Sequence, residues 1–126
     1  MDLDQRDHLE RQAEEAVVYV LSKPLMRDRN TGRLVPRFDL SPAEEFGRME
    51  YLLDQDLNPF AGLKHAIAGL RKNLQNIRET DHLLLVGNPI FIGLMTTIAS
   101  EYCDRINFLQ WSGKDGKYVA VSCDLS

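Results

Sequence analysis

Residues 83–86 read Leu-Leu-Leu-Val, and Gly87-Asn88-Pro89 closes the run. An apolar stretch with no polar alternation suits a strand covered on both faces, and such strands belong to parallel sheets inside α/β folds. Residues 89–105, PIFIGLMTTIASEYCDR, follow as a helix that is apolar round most of its first two turns, hence buried. This one βα unit already limits the architecture, because parallel strands need long crossover connections.

The rest of the chain extends the pattern. VVYVLS (17–22) is β-branched and aromatic, a first strand, and Pro24 limits its pairing. Asn30-Thr31-Gly32 is a turn signal between Leu25-Met26 and Leu34-Val35, so a hairpin arm is expected there. SPAEEFG carries a capping box, Ser41 with Glu44, and Pro42 at the first helical position; Gly47 ends that short helix. RMEYLL (48–53) reads as a strand. Phe60, Leu63, Ile67, Leu70, Leu74 and Ile77 then recur at steps of three and four, an amphipathic helix opened by Asn58-Pro59. Gly62 and Gly69 each weaken that helix by about 1 kcal/mol relative to alanine, so packing must hold it. INFLQW is a further strand, SGKDGK a hairpin turn on Asp115-Gly116, and YVAVSCDL an alternating strand near a sheet edge.

From residue 48 the order is β-α-β-α-β-β, which implies right-handed crossovers and a mainly parallel sheet with a C-terminal antiparallel hairpin. The expected fold is a small Rossmann-like or flavodoxin-like α/β sandwich. Nothing in the pattern places the strand at 17–22 within the sheet. At 126 residues, 44% hydrophobic and 27% charged, the chain has the material for one domain with its own core.

Charge divides the chain into parts. Residues 1–16 hold six acids against Arg6 and Arg11, which accounts for the whole net charge of −4. They read as an acidic, solvated helical extension to a single α/β domain over 17–126, with only Leu9, Ala13 and Ala16 to make apolar contacts. A basic loop lies at 23–37, where Lys23, Arg27, Arg29, Arg33 and Arg37 face only Asp28. There is no run of eighteen apolar residues and no signal-peptide pattern, so no membrane span is expected. Cys103 and Cys123 have no CxxC spacing and read as small reduced hydrophobes.

In a parallel α/β sheet, ligands favour the carboxyl ends of the strands, where Gly87 and Asn88 lie before a helix N-terminus that could take an anion. The dinucleotide fingerprint needs three closely spaced glycines and a Walker loop needs GK[ST]; residues 83–95 have neither, nor any basic or hydroxyl side chain. Helix initiation explains every residue there. Gly87 frees the turn, Asn88 caps, and Pro89 is preorganised. Asn58-Pro59 repeats the device. The ligand reading, a nucleotide or phosphate held near Asp54, Gly87 and Asn88, therefore ranks second.

Other chemistry is thin. His8, His65 and His82 are isolated, no serine sits in a nucleophile elbow, and Cys103 lies near a helix C-terminus where the dipole disfavours a thiolate. Asp54, Asp56 and Asp81 could converge on a divalent cation, although loop acids are common. No catalytic residue, cofactor or resident metal is expected. What remains is surface: Arg27, Arg29, Arg33 and Arg37 on the basic loop, and Trp111 with Tyr118 beside the terminal hairpin, as contacts for a protein partner, viral or host. The arginine loop could also contact nucleic-acid phosphates, but a net-acidic chain without an RNP-like aromatic pattern ranks that reading below a protein partner. Self-association stays open.

The blocks DHLLLVGNPIFIGLMTTIASEYCDRINFLQWSGKDGKYVAV and VLSKPLMRDRNTGRLVPRFDLSPAEEFG resemble small proteins of unassigned activity encoded in tailed-bacteriophage genomes, over roughly residues 17–125. The shared features are the L-L-x-G-N-P turn, the following I-G and the L-Q-W before the terminal hairpin. The resemblance carries over no activity and no catalytic residue. It implies a viral protein made inside the host cell, in its cytoplasm or in the virion. Together these observations favour a non-enzymatic interaction module, a virion accessory in kind.

Overall fold

A computed structural model describes residues 15–54 and 58–126. Most of the acidic extension, with His8 and Asp56, lies outside the described residues. The elements run β1 (Val17–Val20), β2 (Leu25–Arg27), β3 (Leu34–Pro36), a 3₁₀ turn (Ser41–Phe46), β4 (Arg48–Tyr51), α1 (Leu63–Leu74), β5 (His82–Leu84), α2 (Pro89–Tyr102), β6 (Arg105–Ser112) and β7 (Lys117–Asp124). Five strands form one sheet in the order β4-β1-β5-β6-β7. The first four are mutually parallel and β7 returns antiparallel to β6. The fold is α/β, and the hairpin arm β2–β3 stands outside the main sheet.

The first strand takes the central slot, between β4 and β5, and all four of its residues are buried. From there the chain moves left to β4 and later right to β5 and β6. Right-handed crossovers then put α1 and α2 together on one face and the β1-to-β4 connection on the other. The core divides accordingly. Val17, Tyr19, Leu83 and Ile106 pack under Leu70, Leu74, Phe91 and Met95 of the helices. Val18, Val20, Leu84 and Leu109 pack under Leu40 and Ala43 of the opposite layer.

That second layer departs from a full sandwich: it consists of the 3₁₀ turn and the arm. The physical cause is the segment between β1 and β4, which has no helical period and is broken by Pro24, Pro36 and Pro42. The expected capping box does not form. Asp39 Oδ1 accepts the Ser41 N–H at 2.9 Å, and no side chain caps the turn at Leu40. Gly47, at φ 153°, lets the chain leave the turn against β1; a Cβ there would sit 2.3 Å from the Ala16 carbonyl oxygen. The next amide, Arg48 N–H, donates to that same oxygen at 2.9 Å and so starts β4 in register. None of the described helices is long and apolar enough to cross a membrane.

A polar network closes the amino ends of the parallel strands. Asp81, 2% exposed, accepts the Val17 N–H at 2.9 Å through Oδ1 and the Arg78 N–H at 2.9 Å through Oδ2. The Arg78 guanidinium reaches the same carboxylate at 3.2 Å and donates to the Glu15 carbonyl. Asn107 on β6 donates to the carbonyls of Glu79 and Asp81 at 2.6 and 2.8 Å, and accepts the Ser122 hydroxyl of β7 at 2.7 Å. Tyr19 is pushed up to about 12, first by burial and then by the negative charge of Asp81. Replacing Asp81 by Ala strands a buried amide and most of an ion pair. We expect a loss of about 3 kcal/mol in urea unfolding, with Asp81→Asn losing less.

His82 opens β5 on the 3₁₀-turn face, 5.5 Å from the Phe46 ring. Its Nδ1 is buried and has no hydrogen-bond partner among the described residues. Burial holds its pKa below the ordinary value of 6.5, with Asp81 pulling weakly the other way. The unfolded chain therefore takes the proton first. The stabilisation is complete above the ordinary histidine pKa and is lost as pH falls below it. Unfolding midpoints should drop between neutral and mildly acidic pH, and His82→Leu should flatten that slope.

Candidate functional site

The carboxyl ends of β1 and β5 lie side by side, and the chain leaves them in opposite directions. After β1 it turns to the arm and the 3₁₀ turn. After β5 it turns to α2 on the other face. Two adjacent strands whose connections diverge leave a crevice between them, the topological switch point of an open α/β sheet. Here it is an open cleft of about 1160 Å³.

It is lined by the segment that follows β5, Leu85 to Asn88, with Ser22 just past β1. One wall is the root of the arm, carrying Arg37, Phe38 and Asp39. The opposite rim is the turn before α1, with Asn58, Pro59 and Phe60. The terminal hairpin contributes Trp111 and Tyr118, a directly opposed cross-strand pair whose rings meet edge-on at 5.1 Å. A smaller cavity of about 500 Å³ lies under the arm on its β4 side, against Lys23, Met49 and Tyr51.

The fold thus gathers residues that the sequence offered for separate purposes. Gly87, Asn88, Arg37, Trp111 and Tyr118 all line the cleft. Asp54 does not; it is exposed beyond the end of β4. Arg27, Arg29 and Arg33 lie on the outer arm, where the Arg27 guanidinium is tied to the Gly32 carbonyl at 2.7 Å. Tyr118 is 5% exposed and belongs to the core, whereas Trp111 is 48% exposed. The sequence reading missed Phe38 and Phe60. The helical period assigns Phe60 to the core stripe, yet α1 starts only at Leu63 and Phe60 is 93% exposed. Its signal was the Asn58-Pro59 pair: Asn58 Oδ1 takes the Phe60 N–H at 2.9 Å and makes a separate turn ahead of the helix.

Three polar side chains of the cleft, Asp39, Asn58 and Asn88, are engaged with their own backbone. Asn88 Oδ1 accepts the Ile90 N–H at 2.9 Å, and Pro89 has no N–H to offer. Two of the amides an anion would use are thereby removed. Gly87, at φ 132°, is the close approach of this turn to β1; a Cβ there would lie 3.0 Å from Leu21 Cδ1. Hydrogen bonds from the Ser41 hydroxyl and amide hold Asp39 below the usual carboxylate range. The Tyr118 hydroxyl is raised, by burial and then by Asp39. Arg37 lies over the Phe38 ring at 5.2 Å. Among the described residues no nucleophile–base pair lines the cleft, and no group of three His, Cys, Asp or Glu side chains could hold a metal ion. The cleft presents aromatic surface with an arginine at its edge.

A family model, described as Phage Pam3 gp32-like protein, matches residues 16–125. The chain belongs to this family. The resemblance to phage proteins is thus borne out over almost the span expected. The gp32-like match takes in every element of the sheet, the arm and all residues of the cleft, and stops short of the acidic leader. No curated protein and no solved structure matches the chain at a significant level.

If Asn88 serves as a cap, Asn88→Ala should cost about 1 kcal/mol in urea unfolding, and Asn88→Asp or Ser should restore most of it. A ligand role would give a loss of binding with stability intact.

Proposed function

We propose that this phage-family protein is a non-enzymatic binding module whose cleft receives an apolar segment of a partner protein, viral or host. The observation that carries the reading is Phe60, 93% exposed on the rim of a cleft that also presents Phe38 and Trp111. A fully buried phenylalanine is worth about 1.5–3 kcal/mol over an exposed one, so a partner that covers this side chain gains that stabilisation. Exposed aromatics with an arginine beside them are the composition of interface hot spots. The root of the basic arm borders the cleft through Arg37; Arg27, Arg29 and Arg33 lie farther out on it, and their charge suits an acidic flank on the partner, chiefly by speeding encounter. The setting is the host cell during infection or the virion that leaves it.

The test is co-purification of the tagged protein from infected cells, followed by binding of the recovered partner in solution. Phe60→Ser and Trp111→Ala should each weaken the complex about tenfold or more, equivalent to about 1.4 kcal/mol. Neutralising Arg27, Arg29 and Arg33 together should slow association in a salt-dependent way. Undiminished binding by both aromatic variants would remove the cleft from the account. The second-ranked reading is tested alongside by thermal shift: a nucleotide at a hundred times its dissociation constant would add about 2.7 kcal/mol.

A further inference from the structure

The two edges of the main sheet are built differently. β4 is short and carries Arg48 and Glu50, whose side chains meet at 3.7 Å; length and charge guard that edge. β7 is eight residues long and keeps unbroken register with β6, from Arg105 opposite Asp124 to Ser112 opposite Lys117. It has no proline and no bulge, and between its two ends every residue is uncharged. Among the described residues, the middle of this strand carries none of the usual protections of an exposed edge.

The phase of the ladder shows what that edge offers. The Leu85 N–H donates to the Leu109 carbonyl at 2.9 Å, so the backbone groups of Leu109 turn toward β5. In an antiparallel pair the bonded and unbonded positions alternate, so Val119, Val121 and Cys123 bond inward to β6. The Leu125 N–H, bonded to the Asp104 carbonyl at 2.8 Å, keeps the same phase. The amides and carbonyls of Tyr118, Ala120, Ser122 and Asp124 therefore point off the sheet. On the helix face of the strand, where α2 covers β6, Val119 and Val121 stay 37% and 51% exposed.

We infer that β7 pairs antiparallel with β7 of a second copy of this chain, about a two-fold axis normal to the sheet. The strand is complementary to itself. Its charges lie at its ends with opposite sign, so an antiparallel copy sets the Lys117 end beside the partner's Asp124, whereas a parallel one would put like beside like. A normal two-fold keeps helix face on helix face, so opposed residues must lie an even number of positions apart. Centring on Val121 uses all four outward-facing residues: Tyr118 against the partner's Asp124, and Ala120 against the partner's Ser122. The same register stacks Val121 on the partner's Val121 and Val119 on the partner's Cys123. It joins two five-stranded sheets into one and is isologous, as dimer interfaces of this symmetry require. The inference is independent of the cleft.

A strand-to-strand joint buries less than the roughly 1,600 Å² of a standard interface, so the dimer is expected to be a weak one. Sedimentation of the full chain from micromolar concentration upward should show monomer passing to dimer. Ala120→Pro deletes an outward N–H and leaves the β6 ladder intact; Val121→Lys charges the seam. Each should weaken dimerisation about tenfold or more while circular dichroism stays unchanged. Under mild oxidation Val119→Cys should give a covalent dimer through the partner's Cys123, and adding Cys123→Ser should abolish it. A monomer at every concentration overturns the inference. So does a dimer that survives both edge variants, or a Val119→Cys dimer indifferent to Cys123.

Discussion

One buried carboxylate holds the parallel sheet together at its amino end. Asp81 is reached from three directions: by the first amide of β1, by the loop that feeds β5, and by a guanidinium that also grips the chain ahead of β1. The central strand therefore enters the sheet at a fixed height. With that height set, Asn107 and Ser122 carry the same polar chain across β6 to β7. Burying a charge is costly unless every lone pair is met, and here the cost is met by backbone and arginine together. The strands are short, three or four residues in β1, β4 and β5, so a slip of one position would lose much of each ladder and turn core side chains outward.

The cleft follows from topology. Because the chain goes left from β1 before it goes right to β5, the two connections leave on opposite faces and cannot fill the space between them. The arm, the Asn58 turn and the terminal hairpin then stand around that space and supply its side chains. Asp39, Asn58 and Asn88 spend hydrogen bonds on the turns that shape it, and Phe38, Phe60 and Trp111 stand exposed around it.

How much of this was legible depended on how local the signal was. The unbroken Leu-Leu-Leu-Val run reported a doubly covered strand, and Asn88-Pro89 reported a helix start, because both are written in adjacent residues. Val17–Val20 was recognisable as a strand but not as the central one, since both of its neighbours come later in the chain. Ser41 and Glu44 fit a capping box by spacing, but Asp39 reached the same amide first. Phe60 was misassigned because a period of three and four cannot tell the first turn of a helix from a separate turn ahead of it. Arg37 and Trp111 were named as surface contacts. That they share one cleft with Gly87 depends on the strand order, which no short window contains.

The central position of β1 has a consequence for the order of events during synthesis. It is the first strand of the described chain to leave the ribosome, and it cannot pair until β4 and then β5 have followed. Within the main sheet only β6 and β7 are joined by a local turn, and of its described strands they are made last. Non-local pairings of this kind close slowly. Until β5 arrives, Val17–Val20 is an apolar strand with a slot but no walls, and the nascent chain has most to gain then from something that shields it.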